Sequence, residues 1–544
     1  MTAATRPADL AVLSARIHTL DPERPSATAL AVRDGLIVAV GDRSTVAPFL
    51  GPDTVIVDAT GQTVTPGLTD SHQHPVMGID SARGVDLTGA VTIDRLTERL
   101  RAHTALLGPH EWVVGRGAEY AAFSGTAIHR DLIDEVVGGR PAFLWFADCH
   151  SALAGTAALR LAGVTGPREY ADRSEIVCDD RGPTGELHEM TACQDVYAHV
   201  PPMDRAELAA GVAELFAAQN RTGITGLHVL DDFPGTSEIL ADLARTDRLT
   251  VRVGLAPWCP PGAVDRLPER IAELRELVTQ ADQGRGLLTL TAVKFFLDGA
   301  IDGGGAWLNE PDCCGQSHAS QWKDLTRYEE AVRTAVAHGL PAWTHAIGDR
   351  AVGTALRTYA KVGPASGGRH RIEHIELLDD ADAARFAELD VVASVQPAHM
   401  DWTLPDHSDN WSWRVGPERV GRAWRYGDIA RSGGAVALGS DWPITGFDPR
   451  PVMAGARLRR PAGTGDRAAI LPGQALTAEE ALLGYTRAAA RAVGREDHAG
   501  LLKAGAVADF TAFAADPLTT DPDDLPGLGV TLTVVAGRVT HRAV

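Results

Sequence analysis

Helix-like and strand-like segments alternate along the chain from about residue 205, and this alternation constrains the fold more than any other feature. The order is seen in AELAAGVAELFAAQNRTG before ITGLHVL, in RYEEAVRTAVAHG before LPAWTHAIGD, and in three later pairs. Repeated helix–strand units predict a parallel sheet covered by helices. We therefore predict an α/β fold with a (β/α)8 TIM-like barrel over residues 66–80 and 205–496. An open doubly wound sheet is the alternative, but no glycine-rich dinucleotide loop follows a first strand.

Both ends of the chain have a different pattern, in which short apolar runs alternate with turns. Examples are DLAVLSARIHTL and ATALAVRDGLIVAVG near the start, and ADFTAFAAD and VTLTVVAGRVTH near the end. Such spacing is typical of strands and hairpins. We predict that residues 1–65 and 497–544 meet and build one composite β-sandwich.

Residues 81–204 keep neither pattern. Between the first barrel strand and the strand that carries Lys294, the barrel has two strand positions. Four apolar runs compete for them, namely WVVGRG, PAFLWFA, ITGLHVL and VRVGLAPW. At least two of these runs must therefore lie outside the barrel or extend it. We predict that residues 81–204 form an insertion that covers the barrel mouth and contributes some barrel elements.

The charge and cysteine content exclude several classes of protein. A formal net charge of −20 argues against nucleic acid or an anionic membrane as a partner, because both need a basic surface. No apolar stretch approaches the ~18 residues of a membrane span, and the start MTAATRPADLAV lacks the apolar region of a signal peptide,. The six cysteines form no CxxC pair, which favours reduced thiols,. We expect a cytoplasmic protein with a small-molecule substrate, and leave a homodimer open.

The strongest local motif is VTPGLTDSHQHP. His72 and His74 alternate along a strand, so both side chains point to the same face. Two imidazoles on one face at the end of a strand can chelate a single divalent ion. Such a pair also occurs without a role in a core or on a surface, but the preceding Pro-Gly and Asp70 favour metal ligands here.

Three later strand ends supply further ligand types. His345 stands in WTHAIGD, His374 in RIEHIEL and Asp441 in ALGSDWP, each where an apolar run stops. Any one of them alone is more often a structural residue. Their occurrence in order on successive predicted strands indicates a metal centre, because a (β/α)8 barrel builds its site at the carboxyl ends of its strands.

Longer phrases of this sequence resemble the amidohydrolase superfamily, in the subgroup that includes N-substituted formamide deformylase. The matching phrases are PGLTDSHQHP, KFFLDGAIDGGGAWL, HAIGDRA, RIEHIELL, SVQPAH, GSDWPI and GLLKAGAVADFTAF. The resemblance extends from near the start to near the end and is weakest across 160–200. It implies a composite β-sandwich beside a TIM-like barrel, in agreement with the pattern of strands and helices.

The resemblance also marks Lys294 in TAVKFFLDG. In related enzymes a lysine at this strand end is carboxylated by CO2 and bridges two metals, and a carbamate is an anionic ligand whereas an ammonium repels cations. The alternative is a lysine paired with a carboxylate such as Asp298, which leaves a one-metal site. The implied cofactors are one or two divalent ions, zinc before others, and a carboxylysine at Lys294.

The ligand set implies a mechanism. A divalent ion lowers the pKa of a bound water toward ~7 and polarises the scissile carbonyl. Asp441 takes the proton from that water and passes it to the leaving amine. His345 and His374 hold the second metal, or one of them stabilises the developing oxyanion.

Five further residues are candidates for substrate binding. His150 in FADCHSAL matches a phrase of the family, and His228 ends the run ITGLHVL. Gln396 and His399 follow the seventh predicted strand, and Trp442 can add an aromatic wall. The alternative for each is support of the ligands or packing.

We predict a metal-dependent hydrolase that cleaves the C–N bond of a linear amide, formamide or carbamate. A deaminase of the same superfamily is the alternative. Adenosine- and cytosine-type deaminases place a glutamate three residues after the fifth-strand histidine, where this chain has Gly348 followed by Asp349. A non-catalytic scaffold is a third class, but such proteins typically lose metal ligands, and this chain keeps the full set.

Overall fold

The computed structural model describes residues 6–231 and 233–543. Within those ranges the strands are β1 (Leu10–Leu13), β2 (Arg16–His18), β3 (Ser26–Ala27), β4 (Ala29–Arg33), β5 (Leu36–Gly41), β6 (Val55–Asp58), β7 (Thr63–Pro66), β8 (Leu68–Gln73), β9 (Val85–Asp86), β10 (Val113–Ala118), β11 (Ala142–Phe146), β12 (Ser151–Ala154), β13 (Glu175–Asp179), β14 (Gly182–His188), β15 (Ile224–Val229), β16 (Arg252–Leu255), β17 (Leu288–Leu290), β18 (Val293–Phe296), β19 (Ala342–Ala346), β20 (Arg371–His374), β21 (Val392–Val395), β22 (Val436–Leu438), β23 (Phe510–Phe513), β24 (Val530–Val535) and β25 (Arg538–Arg542).

The helices of the same ranges are α1 (Arg43–Val46), α2 (Pro75–Ala82), α3 (Ile93–Thr104), α4 (Asp131–Asp134), α5 (Thr156–Leu161), α6 (Met190–Tyr197), α7 (Arg205–Asn220), α8 (Thr236–Arg245), α9 (Leu267–Asp282), α10 (Leu325–Ala337), α11 (Asp349–Val362), α12 (Arg385–Glu388), α13 (Asn410–Val415), α14 (Tyr426–Arg431), α15 (Pro449–Leu458), α16 (Ala478–Gly484) and α17 (Arg487–Ala492). None of these helices has both the length and the apolar character needed to cross a bilayer.

Two parallel sheets contain the strands of the alternating region. One has the order β17-β16-β15-β8 and the other the order β18-β19-β20-β21-β22. Isolated parallel bridges join the two sheets at two places, between Trp258 after β16 and Lys294 of β18, and between Gln73 of β8 and Trp442 after β22. β18 begins soon after β17 ends, so one extended segment passes from the first sheet into the second. The α/β prediction is confirmed.

The unit formed by α7 and β15 illustrates how the sequence produces this repeat. Asp204 begins the helix because its side chain accepts hydrogen bonds from two backbone N–H groups of the first turn,. Leu208, Val212 and Phe216 follow at helical spacing and are buried in the same core as the apolar side chains of β15,. The helix therefore packs on the strand that follows it.

Strands from both ends of the chain share one mixed sheet, with the order β25-β24-β23-β7-β2-β3. A second sheet, β5-β4-β1-β6, comes from the first sixty residues. Val12 and Leu30 of this second sheet lie in one core cluster with Phe510 and Val534 of the mixed sheet. The two sheets are therefore packed against each other through apolar side chains.

A separate sheet, β13-β14-β12-β11-β10-β9, lies in the region between β8 and β15. The runs WVVGRG and PAFLWFA contribute β10 and β11 to this sheet, whereas ITGLHVL and VRVGLAPW contribute β15 and β16 to the parallel sheet beside β8. Two of the four competing apolar runs thus lie outside the parallel sheets.

Candidate metal centre

The ends of three parallel strands bring candidate ligands together. His72 lies near the end of β8, His374 ends β20, and Asp441 follows β22. One ligand atom from each of these residues lies within 4.8 Å of the others, and all three side chains are buried. This arrangement is expected where carboxyl ends of parallel strands meet.

Asp441 also contacts the second histidine of the motif. Its Oδ1 lies 3.1 Å from His74 Nε2 and 3.5 Å from His72 Nε2, and its Oδ2 lies 3.9 Å from His374 Nδ1. The two rings of the His-x-His pair therefore face one carboxylate, as the alternation along the strand predicted.

Asp70 fixes the position of this carboxylate. Its Oδ1 accepts hydrogen bonds from the backbone N–H groups of His72 at 3.1 Å and Ser440 at 3.0 Å, and its Oδ2 accepts one from Gln73 Nε2 at 2.7 Å. The end of β8 is thereby tied to the turn that carries Asp441. Burial raises the pKa of Asp70 to about 6.

Two of the candidate ligands have left-handed backbone conformations. The φ angle is 74° at His374 and 57° at Asp441. Such a conformation costs about 1–3 kcal/mol in a residue other than glycine, and it recurs at functional sites where the surroundings determine it. Here it turns both side chains toward the cavity at the strand ends.

Lys294 and His345 complete the set on the other side of His374. The ring centroids of His345 and His374 are 4.4 Å apart. Lys294 Nζ, His345 Nε2 and His374 Nδ1 are buried and find no hydrogen-bond partner among the described residues. Buried polar atoms usually have a partner in native proteins, so three such atoms around one space are candidates for binding a ligand.

Asp298 is not the partner of Lys294. It accepts hydrogen bonds from the backbone N–H groups of Trp307 at 2.9 Å, Ile347 at 3.0 Å and Gly348 at 2.8 Å. The carboxylate organises the loop after β18 instead of neutralising the lysine, and Lys294 Nζ lies 4.7 Å from the centre of the Phe296 ring.

One cavity of about 70 Å³ joins all six candidate ligands. Its wall includes His72, His74, Lys294, His345, His374 and Asp441, together with Asp148, Cys149, His150, Trp258 and Phe296. We call this space the inner cavity.

Burial governs the protonation of the inner cavity. It lowers the pKa of His72 to about 4 and the pKa values of His345 and His374 well below the ordinary range. It also lowers the pKa of Lys294 to about 8. The imidazoles are therefore neutral near pH 7 and have lone pairs for a metal.

His150 lies at the boundary between the inner cavity and a larger one. Its ring centroid is 4.8 Å from that of His345, and its Nδ1 is 2.9 Å from Glu189 Oε2. An outer cavity of about 610 Å³ is lined by His150, Glu189, Asp148 and residues of the loop after β18. The two cavities share Asp148 and His150.

Glu189 is a residue that the sequence patterns did not single out. A Cβ at Gly299 would lie 1.9 Å from its Oε1, and one at Gly305 would lie 2.3 Å from the same atom. The glycines of the phrase LDGAIDGGGAW thus make room for this carboxylate. A run of glycines in a loop indicates that another side chain approaches the backbone closely, and these glycines could therefore have indicated such a contact.

The other predicted substrate residues lie elsewhere. His228 is buried and accepts a hydrogen bond from Arg371 Nη1 at Nδ1, 2.9 Å away. His399, in a 3-10 turn over Pro397–Trp402, has its Nε2 3.5 Å from Asp441 Oδ2. Gln396 is buried, and Trp442 packs over Gly78, where a Cβ would lie 2.2 Å from the indole. As far as the described residues go, the lining of the inner cavity includes none of these four.

Glu373 and Arg371 are further buried residues that no motif indicated. Glu373 Oε2 lies 2.8 Å from His72 Nδ1, and its Oε1 accepts a hydrogen bond from Arg371 Nε at 2.6 Å. The sequence does place two charged residues at alternate positions of a buried strand. Charged residues are rarely buried without a partner, so this pattern could have indicated that Arg371 and Glu373 are paired.

Comparison with known proteins gives a family and a fold. The sequence profile of the amidohydrolase family matches residues 55–541. Protein LONG AFTER FAR-RED 3 of Arabidopsis thaliana is 29% identical, with 98% of this chain and 91% of that protein aligned. N-substituted formamide deformylase of Arthrobacter pascens is 27% identical over 99% of both chains.

Among solved structures, an uncharacterized metal-dependent hydrolase from Pyrococcus horikoshii has a TM-score of 0.71. It is 24% identical, and the match covers 94% of this chain and 99% of that chain. The likeness extends over nearly the whole molecule and supports a TIM-barrel-like α/β fold.

Proposed function

Since the chain belongs to the amidohydrolase family and is therefore a hydrolase acting on carbon–nitrogen bonds, we propose that it cleaves a linear amide, formamide or carbamate at a divalent metal centre. The observation that carries this proposal is a set of three buried atoms that have no hydrogen-bond partner within residues 6–231 and 233–543, namely Lys294 Nζ, His345 Nε2 and His374 Nδ1. They lie on one cavity with His72, His74 and Asp441.

The donor set suits zinc. Imidazole nitrogens and carboxylate oxygens are its ordinary ligands in hydrolases, and the buried histidines are neutral near pH 7. When bound, the ion supplies Lewis acidity toward a carbonyl oxygen and makes water more acidic. We propose one or two ions, held by His72, His74, His345, His374, Asp441 and a modified Lys294.

Carboxylation of Lys294 decides between one ion and two. The neutral amine adds to CO2, its nitrogen forms the new bond to carbon, and one proton is released, which leaves an anionic carbamate with two oxygen donors. Burial lowers the pKa of Lys294 to about 8, so part of the population is neutral at physiological pH. Among the described residues Lys294 Nζ has no hydrogen-bond partner, which supports the modification.

We assign the proton transfer, the stabilisation of the oxyanion and the contact with substrate to different residues of the chain. Asp441 is surrounded by His72, His74 and His399 and is ionised, so it can accept the proton of the attacking water and pass it to the leaving amine. His345 or His374 can stabilise the developing oxyanion. His150 has its Nδ1 engaged by Glu189, which leaves Nε2 for the substrate.

The two cavities support a small acyl group and a larger amine. The inner cavity of about 70 Å³ has room for a formyl or similarly small group beside the ligands. The outer cavity of about 610 Å³ begins at His150 and can accept the substituent on nitrogen. N-substituted formamide deformylase of Arthrobacter pascens has by its name a substrate divided in this way.

The deaminase alternative is disfavoured because this chain has no glutamate at the position where those deaminases have their acid. Position 348 is glycine, and Asp349 accepts a hydrogen bond from the Asn309 backbone N–H at 2.8 Å and pairs with Arg422 at 3.2 Å. These contacts hold its carboxylate at the start of α11 rather than toward a substrate, so we favour hydrolysis of a linear amide.

For the architecture, we propose that the two bridged parallel sheets form one (β/α)8 barrel over residues 66–80 and 205–496. Residues 1–65 and 497–544 then form the composite β-sandwich, and residues 81–204 form the insertion over the mouth. A cytoplasmic location and a homodimer stay predictions.

A hydrolysis screen over N-formyl, N-acyl and carbamate compounds tests the function, with amine and ammonia release measured in parallel. We expect amine release that disappears after removal of metal by a chelator and returns with zinc. Ammonia release from ring amines alone would identify a deaminase, and full activity without metal would exclude the proposed centre.

A further inference from the structure

A chain of buried hydrogen bonds extends from His72 into the interior of the protein. His72 Nδ1 contacts Glu373 Oε2 at 2.8 Å, and Glu373 Oε1 accepts from Arg371 Nε at 2.6 Å. Arg371 Nη1 in turn donates to His228 Nδ1 at 2.9 Å. The side chains of these four residues are at most 4% exposed, so water does not compete for these bonds.

The direction of each bond follows from the chemistry of arginine. A guanidinium has only donors, so Glu373 and His228 both accept from Arg371. A carboxylate paired with arginine also has only acceptors to offer, and His72 must therefore donate from Nδ1. The other ring nitrogen, Nε2, is then without a proton, and it faces Asp441 at 3.5 Å.

We infer that Glu373 and Arg371 are a positioning pair that fixes the tautomer of His72, so that the Nε2 lone pair is directed to the metal centre. The inference rests on the metal centre of the proposed function. It also gives His228 a role beneath the inner cavity, as an acceptor for Arg371 and not as a contact of substrate.

Arg371 is held so that it cannot release Glu373. Its guanidinium carbon lies 3.6 Å from the centre of the Trp343 ring, a distance at which a cation is attracted to the aromatic face. His228 fixes another of its nitrogens. The Arg371 Nε–H donor therefore stays in place on the side of Glu373 away from His72. Any side chain at position 373 must offer an acceptor to this donor.

A glutamine at position 373 cannot accept hydrogen bonds from both Arg371 and His72. A glutamine has one acceptor end and one donor end, and Arg371 takes the acceptor. The NH2 group then faces His72, which can accept only with the lone pair of Nδ1. The ring proton moves to Nε2, and the lone pair for the metal is lost. If Arg371 is also replaced by methionine, the amide can turn its oxygen to His72 and the original tautomer returns.

The experiment measures the zinc affinity of the purified full-length protein by competition with a chromophoric chelator. We expect Glu373→Gln to weaken zinc binding roughly 10- to 100-fold, the range for loss of a hydrogen bond to a metal-bound histidine. Arg371→Met/Glu373→Gln should recover most of that loss.

Asp282→Asn is the matched control. Asp282 is also a buried carboxylate, but it accepts hydrogen bonds from the backbone N–H groups of Gly286 and Leu287 and is outside the lining of the inner cavity. It should change thermal stability and leave zinc affinity unchanged. Circular dichroism and thermal unfolding of every variant separate folding defects from binding defects.

Equal zinc affinity of Glu373→Gln and the wild type would overturn the inference, as would equally weak binding by Glu373→Gln and the double variant. A wild type that binds no zinc would instead overturn the proposed metal centre.

A second pair of variants serves if Glu373→Gln does not fold. In that case we compare the zinc affinity of Arg371→Met/Glu373→Gln with that of Arg371→Met/Glu373→Leu. Leucine cannot accept from Nδ1, so the leucine variant should bind more weakly, and equal affinities would contradict the pair's role.

Discussion

The two sides of the inner cavity differ in how far the protein satisfies its own polar atoms. His72, His74 and Asp441 contact one another, and His72 is supported by Glu373; we call these three residues the partnered side. Lys294, His345 and His374 each have a buried polar atom without a hydrogen-bond partner among the described residues; we call these three the open side. The contacts of the partnered side come from the chain itself, whereas we propose that groups from solution complete the open side.

The largest effect is expected at Asp441, the residue of the partnered side that also lies 3.9 Å from His374 of the open side. Asp441→Asn removes the carboxylate that lies near His72, His74 and His374 and that we propose as the acceptor of the water proton. We expect kcat to fall at least roughly 10³-fold, with the circular dichroism spectrum unchanged. Turnover within a few-fold of the wild type would remove Asp441 from its proposed role.

The open side should depend on Lys294 for its second ion. Lys294→Met cannot form a carbamate, so we expect zinc content to fall from two equivalents toward one and kcat to fall roughly 100-fold, in the range of lost metal-assisted catalysis. Metal analysis and steady-state kinetics check both. Lys361→Met is the control, because Lys361 is an exposed lysine paired with Glu329 on the outer surface. Unchanged zinc content in Lys294→Met would contradict the bridging carbamate.

The same substitution should stabilise the metal-free protein. Burial lowers the pKa of Lys294 from 10.5 to about 8, so the charged amine costs the folded state about 3 kcal/mol at neutral pH. In CO2-free buffer, Lys294→Met should therefore have a larger free energy of unfolding than the wild type at pH 7. Below pH 8 the full difference between the two free energies of unfolding is present, because Lys294 is charged in both the folded and the unfolded wild type. The difference should vanish as the pH rises from about 8, the folded-state pKa, to 10.5, the ordinary pKa of lysine. Urea unfolding at several pH values measures this, and a difference independent of pH would contradict the burial of a charged amine.

The smallest effect is expected in the outer cavity. Ala319 lines this cavity, and Ala319→Trp should lower kcat/KM for N-hexylformamide roughly tenfold more than for N-methylformamide, because an occupied pocket discriminates by size. Ala102→Trp, on the exposed surface of α3 and in the lining of neither cavity, is the control. Equal effects on both substrates would show that the amine substituent lies elsewhere.

The candidate ligands and the residues that support them differ in how much the sequence reveals. His72, His74, His345, His374 and Asp441 lie at or just after strand ends, so strand periodicity and the order of segments predict their grouping. Lys294 lies inside β18, and only the family resemblance indicated it. The α/β class follows from the same alternation, and the structure confirms it.

The supporting residues were not predictable in the same way. Glu373 reaches His72 across 301 positions of sequence, and Glu189, which lies between β14 and α6, reaches His150. Such contacts depend on strand order and register, which local patterns do not determine. His228 illustrates the limit, because its place at a strand end was identified from the sequence, while its contact with Arg371 required the neighbouring strands.

The central claim is that one inner cavity holds a metal centre on which catalysis depends. Its most direct test is zinc content and amide hydrolysis measured on the same sample during removal and return of the metal. We predict one to two equivalents of zinc in the active protein, with activity falling in proportion to metal lost and returning on reconstitution. Full activity in protein stripped of metal would contradict the account.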